Sequence, residues 1–354
     1  MSEEKYSQLK RIEHSLNNYR LSIQNNLKKL GCNEQEERFN FLYQKVSQAN
    51  LSKKIKLEED QKDKFRRLFE NMWINEAFVQ DSINQQEPKH QYFYFVYIAF
   101  YYSLFTSLSI VVRLFNPDIG ETHKPKIENF NKKIVVENKF LKECYFNPFS
   151  LVIIKNEIRN LGVSTPKAIN EATVKEIDKL ILNYELRKNQ TTLSGSQVVN
   201  EDLNTLKVAK SLIKYAIENI KTNKADGISY IHYFMSKRHF LHYNASFIYD
   251  KYPYDLVGLL KNIKEDMTYI LSVFNFLTEL IFIRITKLDV IDIYEAFKSR
   301  MLHKPGSISF GESYKSNLEE LKNIDERFNI LKLINVEKHA RTAEEIPRCE
   351  NETR

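Results

Sequence analysis

Glycine and proline are scarce in this chain, eight of each in 354 residues. With so few of the residues that make tight turns, and with Leu, Ile, Lys, Glu, Asn, Phe and Tyr abundant, the composition suits long helices. Cysteine is also rare. Cys32, Cys144 and Cys349 are far apart and odd in number, which leaves neither a disulfide framework nor a cluster of zinc ligands and points to a reducing, cytoplasmic setting. The opening residues MSEEKYSQLKRIEH lack the apolar stretch that a secretory signal requires. A Gly-rich phosphate loop, a Gly-x-Ser-x-Gly elbow, a His-Glu-x-x-His helix and a Cys-x-x-Cys pair are all missing, so the common signatures of nucleotide, hydrolase, zinc and redox chemistry give no lead. No cofactor is implied.

What is present is helical periodicity. Leu9, Ile12, Leu16, Tyr19, Ile23, Leu27 and Leu30 recur at steps of three and four, the spacing of one apolar seam, and Gly31 is placed to end it. Phe39, Leu42 and Val46 continue the pattern, and DKFRRLFENMWINEAFV repeats it with Phe65, Leu68, Trp73 and Phe78. These segments predict an N-terminal amphipathic layer over residues 1–88. Its seam packs on the body of the same chain or on a second copy, the former being the default.

From Gln91 to Val112 the chain carries no charged residue. That length could cross a bilayer. Five tyrosines are spread along the run instead of gathering at its ends, which favours the central helix of a bundle over a membrane span. MTYILSVFNFLTELIFIRI holds Glu279 and Arg284 within its length and reads as the partner of that helix. NPDIGETHKP breaks the chain, and an irregular stretch is expected from there to Pro148. A helix is then expected over Phe149 to Leu161. Its successor carries Val174, Ile177, Leu180, Ile181 and Tyr184, and another helix carries Leu203, Leu206, Leu212, Ile213, Ala216, Ile217 and Ile220. The long helix that follows Pro253 begins near Asp255. The expected organisation is all-α: a helical bundle over 89–335 with long central apolar helices, the N-terminal layer, and a charged tail over 336–354.

One stretch poses a pointed chemical question. KRHFLHYNASF, Lys237 to Phe247, sets Lys237, Arg238, His239 and His242 beside aromatic residues. In a helix Arg238 and His242 share a face. An imidazole there can take a proton from a ribose 2′-hydroxyl or return one to a leaving oxygen, while a guanidinium holds the phosphate. No metal is needed. His232, His239 and His242 lie near one another in projection, but His232 is too far along the helix axis to share an ion with the other two. The alternative is that Tyr230, Ile231, Phe234, Leu241 and Phe247 face the core while Lys237, Arg238, His239 and His242 line the solvent side of an ordinary helix.

A helical bundle carrying an Arg, a polar neighbour and a His a few residues on resembles the HEPN superfamily. The resemblance implies a metal-independent ribonuclease or RNA-binding protein that acts as a homodimer, in an antiviral-defence or toxin–antitoxin setting with a cognate partner. It also implies His242 as general acid/base, Arg238 with Lys237 on the scissile phosphate, and Asn244 in a positioning role. Three residues separate Arg238 from His242, one fewer than the family pattern, and only Lys237 meets the spacing, with lysine in arginine's place. Lysine lacks the planar two-pronged donor. The rival readings are a non-catalytic helical interaction module and a membrane-associated helical protein.

Overall fold

A computed structural model describes residues 3–29, 35–48, 51, 55–84, 93–120, 122–130, 146–147, 171–188, 228–229, 256–286, 290–303 and 321–332. It also describes Lys207, Lys210, Ile213, Lys214, Ile231, Phe234 and Arg238. The fold is all-α, as the composition predicts. In chain order the helices are α1 (Glu3–Lys29), α2 (Gln35–Gln48), α3 (Glu59–Asn84), α4 (Phe93–Phe115), α5 (His123–Phe130), α6 (Glu171–Lys188), α7 (Leu256–Thr286), α8 (Val290–His303) and α9, residues 322–332.

The core is built around α7. The helix packs against α3 and α4 on one side and against α1 and α2 on another, and α3 and α4 form a close pair of their own. The N-terminal seam therefore packs on the body of its own chain: Ile12, Leu16, Tyr19, Phe39, Leu42 and Val46 are buried in the same cluster as Ile270, Leu277 and Ile281 of α7. On α3 the inner face is Phe65, Phe69, Met72, Trp73, Glu76 and Val79, and Phe78, expected in the seam, is 39 % exposed. A face that includes both 72 and 73 turns position 78 outward, because the helix advances about 100° per residue.

Local chemistry sets the ends. At the start of α3 the Gln61 side chain accepts a 3.1 Å hydrogen bond from the Glu58 N–H, half of a capping box, and Glu59 and Asp60 place negative charge in the first turn. Helix α4 stops at Phe115, where Asn116 and Pro117 intervene. The irregular stretch expected after that break is interrupted by α5, which carries Pro125 in its first turn. A first-turn N–H has no intrahelical acceptor to lose, so proline is tolerated there, and Ile127 and Phe130 supply buried contacts behind it. A two-residue antiparallel pair, β1 (Phe146–Asn147) with β2 (Ile228–Ser229), brings the segment leading to Arg238 beside the chain that follows α5. So short a pair has no periodicity to read.

Helices α4 and α7 are long and apolar enough to cross a membrane, and 78 % of the most apolar window of each is buried within the chain. That burial matches the central-helix role. Their interface is also polar in places: Ser107 and Thr278 share a 2.6 Å hydroxyl contact, and Asn275 of α7 donates to Ser103 of α4 and to Glu76 of α3. On α6, Ile177 is buried while Val174, Leu180 and Ile181 pack partly on the core. The helices expected over Phe149 to Leu161 and over the Leu203 to Ile220 stretch, apart from four residues of the latter, lie outside the described residues, as does the 336–354 tail.

Candidate functional site

Three parts of the chain converge on the outer half of α4. Ile231, Phe234 and Arg238 are helical and three and four residues apart, so they share a face. Ile231 and Phe234 are buried, and the Phe234 ring packs at 5.0 Å against Phe100 of α4 and at 5.4 Å against Tyr19 of α1. That anchoring carries Arg238 inward. The expectation that Arg238 lies on a solvent-facing side when Ile231 and Phe234 face the core is not met, because position 238 continues the inner stripe.

Arg238 is half-buried above two tyrosines. Its guanidinium carbon lies 4.9 Å from the Tyr101 ring centroid and 5.5 Å from that of Tyr102, within cation–π range. Its Nη1 donates to the Tyr102 hydroxyl at 3.1 Å. Its Nε is buried without a hydrogen-bond partner, and among the described residues no carboxylate pairs with it. Other arginines differ: Arg20 pairs with Asp266, Arg300 with Glu70, and Arg327 with Glu76 and Glu279.

The same tyrosines hold a histidine. His123, the first residue of α5, lies flat on Phe105, with centroids 3.9 Å apart and planes 7° apart. Its Nδ1 is 2.5 Å from the Tyr101 hydroxyl. Burial pushes the Tyr101 phenol far above its usual range, even though the nearby Arg238 pulls the other way, so the hydroxyl keeps its proton. When that phenol donates to Nδ1, a neutral imidazole carries its own proton at Nε2. One turn along α5, the Lys126 ammonium lies 5.4 Å from the Phe105 centroid. A guanidinium, an imidazole and an ammonium thus surround a floor of Tyr101, Tyr102 and Phe105.

Of the residues expected from the sequence at this site, Arg238 is placed, whereas Lys237, His242 and Asn244 lie outside the described residues. His232, His239, Tyr233, Tyr243 and Tyr249 lie outside them as well. Sequence reasoning missed His123, Tyr101 and Tyr102. The tyrosines read as packing in an uncharged run, and His123 stood in a stretch taken for a helix break; its only signal was the pair of lysines following it, Lys124 and Lys126.

A second polar cluster is closed to solvent. Arg327 of α9 forks onto Glu76 of α3, with Nη2 2.9 Å from Oε2, and also reaches Glu279 of α7 at 3.0 Å. All three are at most 1 % exposed. Two carboxylates face one guanidinium, and burial raises the Glu279 pKa against the pull of Arg327. At the other end of the α3–α7 contact, burial lowers Lys264 to about 8, and its ammonium donates to the Ser82 carbonyl near the end of α3. These groups knit helices together and leave no space for a substrate. Among the described residues no group of three His, Cys, Asp or Glu side chains could hold a metal ion. Comparison with protein-family models, with curated proteins and with solved structures finds no match to this chain.

Proposed function

We propose that this chain is an RNA-binding or metal-independent RNA-cleaving helical protein of HEPN type, acting in antiviral defence or a toxin-type system. The observation that supports it best is Arg238: a half-buried guanidinium without a carboxylate partner among the described residues, laid over two tyrosines beside an imidazole. A phosphodiester is a ligand that such a cation binds well. Aromatic faces next to it suit unstacked bases of a single strand. In this proposal Arg238 and Lys237 hold the phosphate, His242 moves the proton, and Asn244 positions one of them.

Incubation of the purified chain with mixed single-stranded RNA and a chelator tests the reading. Cleavage leaving cyclic phosphate ends, lost in His242→Ala and in Arg238→Ala, is the expected result. RNA that stays intact and unbound under every condition would overturn it.

A non-catalytic interaction module is the second reading. Leu182 and Leu186, one turn apart on α6, are 58 % and 55 % exposed, an apolar pair that a partner helix could cover.

A further inference from the structure

We propose that Phe95, Ile98 and Tyr102 form a base-binding track leading to Arg238, and that its occupant is single-stranded RNA with the bases unstacked. This rests on the RNA reading and adds to it the face of α4 along which the strand runs.

The track begins in the helix. Positions 95, 98 and 102 are three and four residues apart, so they share one face of α4. Phe93, Tyr97, Phe100 and Tyr101 of the same helix are buried, whereas Phe95 is 50 % exposed and Tyr102 is 38 % exposed, with Ile98 partly buried between them. Both rings are held by their neighbours. Tyr102 stands edge-on to Tyr101 and to His123, with centroids 5.5 and 6.0 Å away, and its hydroxyl accepts from Arg238. Phe95 stands edge-on to Tyr94 at 5.4 Å. A ring fixed in this way gives up little freedom when a base settles on it.

Charge and spacing select the occupant. One end of the track is the Arg238 guanidinium, which has no carboxylate partner among the described residues and whose Nε has no hydrogen bond. Helix α4 carries no charged side chain from Phe93 to Val112. A chain of phosphates therefore meets a cation beside Tyr102 and no like charge on α4. Stacking on a side chain is open only to unpaired bases. Seven residues of helix set Phe95 and Tyr102 roughly 10 Å apart along the axis, about three times the roughly 3.4 Å step of a stacked strand. The two rings suit bases drawn apart, with Ile98 beneath the chain between them. A stable protein interface takes about 20 residues a side, far more than this short stripe.

The test uses the full chain and a fluorescent single-stranded oligoribonucleotide with 2′-O-methyl groups, which binds without being cut. In anisotropy titrations Phe95→Ala and Tyr102→Leu should each weaken binding by about tenfold or more. Tyr102→Phe, which keeps the ring, should retain most of the affinity. An abasic strand of equal length has the phosphates without the bases, and Phe95→Ala should bind it as the wild type does. Arg238→Ala should instead weaken both strands and lessen the dependence of affinity on salt. RNA binding that Phe95→Ala and Tyr102→Leu leave unchanged, or equal affinity for duplex and single strand, would sink the track and leave the RNA reading standing. So would a Phe95→Ala variant altered only in sedimentation or in binding to anionic vesicles, which would give the stripe to a second copy or to a lipid surface. Failure of the folded protein to bind the oligonucleotide at all would sink both.

Discussion

The indole Nε1–H of Trp73 donates a 3.0 Å hydrogen bond to Oε1 of Glu279. This ties α3 to α7 at the place where Arg327 arrives from α9. Around it Phe69, Tyr294, Phe297 and Phe328 pack on the indole at centroid distances between 5.2 and 5.5 Å. The junction of α3, α7, α8 and α9 is therefore an aromatic box with a charged floor.

Arg327→Met should be among the most damaging single changes in the chain. It leaves Glu76 and Glu279 facing each other with no cation, and removing one member of a buried ion pair costs about 3–5 kcal/mol. Urea denaturation at neutral pH checks the value. Adding Glu279→Gln to the same variant should recover part of the loss, since it removes one uncompensated charge; a double variant no better than the single one would contradict the electrostatic account.

Trp73 is the single tryptophan and is fully buried. Its fluorescence should be blue-shifted in the native state, move to the red in one step on unfolding, and report the α3–α9 junction specifically. An emission maximum like that of free tryptophan before denaturant is added would contradict the packing. Trp73→Phe should also cost about 1–3 kcal/mol, because Glu279 then loses a donor that water cannot replace.

The hydroxyls of Ser107 and Thr278 partner each other across the α4–α7 interface. Either Ser107→Ala or Thr278→Val alone leaves a buried hydroxyl with a poorer partner and should destabilise by about 1 kcal/mol. The double variant should cost clearly less than the sum of the two. A double-mutant cycle by thermal or urea unfolding measures the coupling, and simple additivity would show the contact to be energetically idle.

Asp266 of α7 is buried against Arg20 of α1, with Nε to Oδ1 at 2.5 Å. Burial raises the carboxyl to about 6, outweighing the pull of Arg20. The folded state thus binds this proton more tightly than the unfolded chain, whose carboxyl titrates near the ordinary value of 3.8. The group is neutral in both states below that value and contributes no penalty there. As pH rises from about 4 to about 6 the unfolded state ionises first, stability falls, and the loss is complete above the folded pKa. Asp266→Asn should flatten this part of the stability profile. A variant that retains the wild-type slope between these pH values would show that the titration belongs elsewhere.

Arg238→Ala should lower stability by only about 1 kcal/mol, the scale of one partly exposed cation–π contact and one hydrogen bond to a neutral hydroxyl. Its effect on RNA binding should be much larger. Equal and large losses in both would mark Arg238 as a structural pin between α4 and the segment that bears it.

Much of the layout was legible beforehand. Ile12, Leu16, Tyr19, Phe39, Leu42 and Val46 announced their buried face through spacing alone, because a helix converts a step of three or four into a common direction. The charge-free run announced α4, and Glu279 was legible as a charge within an apolar helix, but not as one that a buried cation meets. The identity of that cation, Arg327, had no local signal, since it is 48 residues further along the chain. Spacing misplaces position 78 in the seam, because Phe78 keeps the step yet falls beside a stripe that also contains Met72, Trp73 and Glu76.

The sequence by itself determined that this chain is helical, which residues line most of its seams, and that the segment around Arg238 carries basic chemistry. Tertiary structure alone decided what Arg238 meets. Tyr101, Tyr102 and His123 lie more than one hundred residues before it, and no periodic pattern links residues that approach only when α4, α5 and the Arg238 segment pack together. Periodicity records which way a side chain faces on its own helix; which distant groups wait on that side depends on how the helices close around one core.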